Sequence, residues 1–252
     1  ADQTRQAHDQ IGAVGMIEAI ALPPRAGAVR VDEALRYAGY AGIEATPAVR
    51  ERARALAEAA EQIECAHGAF RMFSMGDAGE GDVRVPGAHL TLPGRSIADY
   101  LDGACAVCLL AVTMGAAADE RLRAFGDASR VDGVLYGAVL ADLVEDAANQ
   151  LEARVRQEAF ERGWYANDRY SPGYGDLPLS VHPAFLAALD AEAALGMRTV
   201  DGGFLAPSRS ITAVVGLFAD PPARAKLGCA WCAARPYCTI RAAGRVCYRR
   251  DR

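Results

Sequence analysis

The 252-residue chain has a single lysine, Lys226, against 26 arginines, and only four histidines, His8, His67, His89 and His182, scattered along its length. No catalytic triad, phosphate-cradling Walker loop or HExxH helix can be assembled from these residues, which removes the commonest hydrolase and nucleotide-triphosphatase readings. Gly12 and Gly15 are not followed by the third glycine of a dinucleotide fingerprint. Long apolar runs are also missing. The longest nearly uncharged stretch, Ala104 to Ala118, falls short of the ~20 residues that span a bilayer and is interrupted by Thr113 and Gly115, so no membrane helix is expected. No cationic segment leading into an apolar run is seen in Ala1 to Gln10, and the seven cysteines are odd in number. A complete disulfide framework is therefore not expected, and a cytoplasmic, reducing compartment is.

What is present describes a globular chain: 52% hydrophobic and 23% charged residues, with ample material for a core. No repeat or low-complexity linker divides it. The expected organisation is one domain over residues 1–220 and a short tail over 221–252. The formal net charge of −5 conceals an asymmetry, because residues 223–252 carry eight basic side chains against Asp251 alone, +7 in the tail and −12 elsewhere. Such a tail suits an acidic partner; it lacks the regular aromatic interleaving of nucleic-acid binders, and no nucleic-acid partner is expected.

The tail also holds the clearest metal-binding pattern, Cys229-x2-Cys232-x5-Cys238-x8-Cys247. Two thiolates two residues apart converge on one ion, and two more complete a tetrahedral sulfur site for zinc or an iron–sulfur cluster. The spacing matches neither common ferredoxin run, so both metals stay open, as does a set of unligated thiols. Cys65, Cys105 and Cys108 lie in helical or apolar surroundings and read as core thiols.

Periodicity predicts a short capped helix over Val31–Gly39, a second over Ala48–Ala66 started by Thr46-Pro47, and strands within Ala69–Met75 and Gly81–Val85. A short helix is expected over Ser96–Leu101. Cys105–Thr113 is a continuous apolar run, the pattern of a strand buried on both faces. Val131 to Arg162 reads as a helix of about nine turns closed by Gly163, with a seam of Leu140, Val144, Leu151 and Val155. Beside that seam Glu145 sits among Val134, Ala138, Ala141 and Ala148. On pattern alone it is a solvated acid on a helix edge, or a carboxylate that small neighbours leave open to a ligand. Asn167 to Pro178 is too rich in Gly and Pro for regular structure; a helix over Pro183–Leu195, turns at Gly202-Gly203 and 207–210, and a strand over 211–218 follow.

Within that loop, Arg169-Tyr170-Ser171-Pro172-Gly173-Tyr174 resembles the S-adenosylmethionine-binding loop of the activation (reactivation) domain of cobalamin-dependent methionine synthase. The helix LVEDAANQLEARVR at 143–156, AVTMG at 111–115, APSRSITAVVG at 206–216 and DEALRYAGY at 32–40 occur in the order of that family's stand-alone members. The resemblance runs from about residue 29 to 218. It implies an α+β fold, a mainly antiparallel twisted sheet with surrounding helices. It also implies a function: reactivation of methionine synthase, or of another corrinoid protein, by S-adenosylmethionine-dependent reductive methylation of cob(II)alamin, with flavodoxin or ferredoxin as electron donor. It assigns Arg169 to Tyr174, Glu145 and Asp32 to S-adenosylmethionine. A guanidinium such as Arg169 grips a carboxylate in a fork, and Tyr174 is expected to pack on the adenosyl group. Two features of the family are missing, an acid just before the loop and a tyrosine after the Pro-Ser turn. These motivate an alternative: a metal-bearing binding or electron-transfer module that keeps the fold and no longer uses S-adenosylmethionine.

Overall fold

The computed structural model describes residues 17–76 and 81–222. In chain order its elements are β1 (Ile20–Leu22), α1 (Val31–Leu35), α2 (Pro47–Ile63), β2 (Ala66–Ser74), β3 (Asp82–Val85), β4 (Leu90–Pro93), α3 (Arg95–Tyr100), β5 (Ala106–Thr113), α4 (Ala116–Ala128), α5 (Arg130–Glu161), β6 (Tyr165–Ala166), α6 (His182–Ala188), α7 (Ala191–Leu195), β7 (Arg198–Val200), β8 (Phe204–Ala206) and β9 (Ser210–Phe218). Five strands form one antiparallel sheet in the order β1-β2-β5-β9-β6, and β3-β4 and β7-β8 form separate two-stranded ribbons. The expected α+β architecture is the one observed.

The apolar run of β5 takes the centre of the sheet, and every residue in it is buried. Ala106, Cys108, Leu110 and Val112 point into a core shared with α2 and α5, whereas Val107, Leu109 and Ala111 point into a second core shared with β3-β4, α3 and α6. Period-two alternation explains how one uninterrupted apolar run serves two cores. The two strands that flank it, β2 and β9, each pair with it over eight residues.

The long helix α5 spans 32 residues, roughly 48 Å at ~1.5 Å per residue. Ser129 caps it by accepting the Asp132 N–H at 3.2 Å. Its seam of Leu140, Val144, Leu151 and Val155 is buried as expected. The seam meets β2 at Gly68, where a Cβ would come within 2.9 Å of the Leu151 and Leu22 side chains, so the missing side chain lets helix and strand approach closely.

The sequence reading and the structure differ in several places, three of which have a visible cause. The second helix stops at Ile63, because Glu64 turns to extended backbone and buries its carboxylate against Arg121 and Tyr136. Pro183–Leu195 divides into α6 and α7, since Asp190 adopts left-handed backbone between them (φ 46°). Helix α4 was not anticipated: it seats a short stripe of Ala118, Leu122 and Phe125 on the first core, and it crosses α5 at glycines, where a Cβ on Gly133 would lie 2.6 Å from the Gly126 backbone.

Candidate functional site

One side of α5 carries Asp142, Glu145, Asp146, Asn149, Glu152 and Arg156, spaced so that they rise along one face of the helix. This polar ladder grips two incoming segments. Upstream, Asp142 accepts the Arg30 backbone N–H at 2.7 Å and its guanidinium at 2.6 Å. Asp146 takes the Arg25 guanidinium, and Gln150 donates to both Asp146 and the Pro23 carbonyl. Residues 23–30 are thereby strapped across the helix.

Downstream, Arg156 donates to the carbonyls of Ala166 (2.7 Å) and Asn167 (2.9 Å) and to the carboxylates of Glu152 (2.5 Å) and Asp168 (2.9 Å). Buried Asn167 accepts the Gly216 N–H at 2.7 Å and donates to the Tyr100 carbonyl, locking the same stretch to β9. The chain therefore reaches Arg169 along a fixed path. Arg169 then turns back to α5, its Nη2 on Glu145 at 2.5 Å and its Nη1 on Glu152 and Asn149, both at 2.7 Å. Burial works against the charged guanidinium, but the two carboxylates outweigh it and hold its pKa above the ordinary arginine value.

The rest of the loop is built on the second core. The Tyr170 backbone pairs with Val214, and its buried ring lies 4.9 Å from Tyr100 and 5.8 Å from Tyr174. Pro172 is buried and Ser171 half-buried; the Ser171 carbonyl accepts the Tyr174 N–H, and the Gly173 N–H bonds the Leu177 carbonyl. Tyr174 stands exposed at the tip. Asp176 accepts the N–H groups of Arg95 (2.8 Å) and Ser96 (3.0 Å) at the start of α3. Against desolvation, these bonds hold its carboxyl below the usual range. Gly175 closes the turn with φ 53°, and a Cβ there would meet the Tyr170 hydroxyl at 2.4 Å and Ser96 Oγ at 2.6 Å.

Of the residues singled out from sequence, Arg169 and Glu145 are brought together directly. Tyr170 points into the second core and Pro172 is buried, while Ser171, Gly173 and Tyr174 form the loop's outer turn. Asp32 sits in the first turn of α1 with its carboxylate on Arg50 of α2. Asn149, Glu152, Arg156 and Asp176 were not singled out. The signal for the first two was readable, since Glu145, Asn149 and Glu152 repeat at steps of four and three as polar residues do on a helix face that meets a polar partner. Tyr37, with the Arg36 guanidinium 4.3 Å over its ring, also borders the site; burial first, and the Glu145 charge second, raise its phenol pKa.

Cys229, Cys232, Cys238 and Cys247 lie outside the described residues. Among the described residues no group of three or more His, Cys, Asp or Glu side chains is placed to hold a metal ion. Cys108 is fully buried, with burial pushing its thiol pKa up, and Cys65 and Cys105 are partly buried free thiols. A shallow groove along Arg154, Gln157, Glu158, Glu161 and Arg162 lies further along α5 and contains none of the candidate residues. No helix among the described residues is long and apolar enough to cross a membrane.

No protein-family model matches this chain, and no curated protein sequence matches it. Among solved structures, a crystal structure of the MetH reactivation domain bound to AdoHcy is similar to it with a TM-score of 0.55 and 17% identity, over 96% of this chain and 90% of that one. At that identity the likeness is one of fold.

Proposed function

We propose that this protein binds S-adenosylmethionine between the 169–174 loop and α5, and presents it to a cobalamin-bearing methionine synthase or a related corrinoid protein for reductive methylation of cob(II)alamin. The observation that supports this most directly is the pairing of Arg169 with Glu145 at 2.5 Å, on a fold similar to that of a domain bound to AdoHcy. A guanidinium next to a partly exposed carboxylate is complementary to an amino-acid zwitterion. Arg169 would take the ligand's carboxylate in a fork, and Glu145, released from Arg169, would take its ammonium. Tyr174, exposed at the tip of the same loop, would cover the adenosyl group. When bound, S-adenosylmethionine supplies a methyl group held on a sulfonium. The protein's part is to orient it, since effective transfer depends on the reacting atoms being held in line. The basic tail would dock an acidic flavodoxin- or ferredoxin-type electron donor, and its four cysteines would hold the metal.

The test is reactivation in a reconstituted system: a methionine synthase lacking its own activation domain, poised as cob(II)alamin, with a flavodoxin, its reductase, NADPH as the electron source and S-adenosylmethionine as the methyl donor. Conversion of the cob(II)alamin absorbance to that of methylcobalamin on adding this protein is expected. An unchanged spectrum overturns the reading.

A second reading, a metal-bearing module that keeps the fold without using S-adenosylmethionine, is favoured by a single observation: Arg169 is already matched by two carboxylates of its own chain. Under it, a corrinoid protein would be captured equally well with and without S-adenosylmethionine.

A further inference from the structure

The two carboxylates that hold Arg169 are not equivalent. Glu145 has 38% of its side chain exposed, and Arg169 is its ion-pair partner. Glu152 is only 11% exposed and accepts from two guanidiniums, Arg169 Nη1 at Oε2 (2.7 Å) and Arg156 Nη2 at Oε1 (2.5 Å). Arg156 in turn holds the carbonyls of residues 166 and 167 and the carboxylate of Asp168, the three residues that lead into Arg169. A ring of contacts therefore runs from Glu152 through Arg156 and the 166–168 backbone to Arg169 and back to Glu152. A poorly hydrated carboxylate shared by two cations is costly to pull away, whereas a half-exposed one with a single cation exchanges its partner readily.

We propose that Glu152 is the positioning residue of the site: it fixes one edge of the Arg169 guanidinium so that the other edge, held by Glu145, can be exchanged for a ligand carboxylate. This rests on the ligand reading above for its purpose, but the asymmetry belongs to the chain and can be read without a ligand. Glu152 touches Arg169 and not the reacting atoms, so its effect is on binding geometry.

Guanidinium-selective ¹⁵N NMR provides the ligand-free readout. Hindered rotation should resolve the Arg169 Nη signals in the wild type and in Glu145→Gln, and Glu152→Gln should collapse them. Resolved signals in Glu152→Gln, or collapse in Glu145→Gln alone, would overturn the assignment. Calorimetric titration of the folded variants with S-adenosylhomocysteine then separates the two ideas. Glu152→Gln should weaken binding about ten-fold through loss of a charge-assisted bond, and Glu152→Asp should restore part of it. Wild-type affinity in Glu152→Gln sinks the positioning role and leaves the ligand reading standing; absence of binding in the wild type sinks the ligand reading and the role with it.

Discussion

Arg169 and Glu145, 24 residues apart in sequence, meet at 2.5 Å where the loop after β6 crosses the middle of α5. Neither side chain is positioned by its own element alone. Glu145 is held out by a helix whose opposite face is buried in the sheet, and Arg169 is delivered by a stretch pinned to Arg156 and, through Asn167, to Gly216 of β9. The site is thus the place where the longest helix and the most irregular loop are tied together.

The Glu64 carboxylate is fully buried and accepts from Arg121 at 2.7 and 2.5 Å and from the Tyr136 hydroxyl. Arg121→Ala should therefore leave a buried, uncompensated charge and cost about 3 kcal/mol, the low end for a broken buried pair because Arg121 is partly exposed. Glu64→Gln should cost less. Urea unfolding of the two variants checks the order.

Asp176 links the loop to α3, and its carboxyl lies below the usual range because it accepts two backbone N–H groups. A depressed folded pKa means that its contribution to stability is complete above the unfolded carboxylate pKa of about 3.9 and is lost as pH falls through the lower folded value. Asp176→Asn should flatten that part of the acid limb, which lies below about pH 4. Thermal melts across this range, compared with the wild type, provide the measurement.

A methyl group at Gly175 would meet the Tyr170 hydroxyl and Ser96 at distances no Cβ tolerates, on left-handed backbone. Gly175→Ala should cost on the order of 1–3 kcal/mol and displace the loop tip. A drop in melting temperature with altered Tyr174 fluorescence contacts is expected; an unchanged melting temperature would show that the turn is looser than its contacts imply.

Much of this architecture was legible in the sequence. Eight uninterrupted apolar residues from Cys105 to Val112 marked the central strand, and the Leu140–Val155 seam marked the helix that packs on it. Helix α4 was missed because its apolar stripe is short, Ala118, Leu122 and Phe125 alone, and its crossing with α5 is made by Gly126 and Gly133. The site was half legible. Arg169 and Glu145 stood out by resemblance, whereas Glu152 and Arg156 look like ordinary surface charges until the 166–169 backbone is folded against them. Asp176 was hidden for a similar reason, since its partners are backbone N–H groups 80 residues away.

The cysteines of the 221–252 tail give a prediction independent of the loop. Anaerobically purified protein should contain zinc or an iron–sulfur cluster by elemental analysis and absorption spectroscopy, and a Cys229→Ser, Cys232→Ser double variant should lose it. An equal metal content in that variant would refute the assignment.

Calorimetric titration of the full chain with S-adenosylmethionine, beside Arg169→Ala, tests most directly whether Arg169 and Glu145 form an S-adenosylmethionine site. The expected result is saturable binding that the variant loses while remaining folded by circular dichroism. Absence of binding in the wild type, even with a corrinoid partner present, would contradict that assignment.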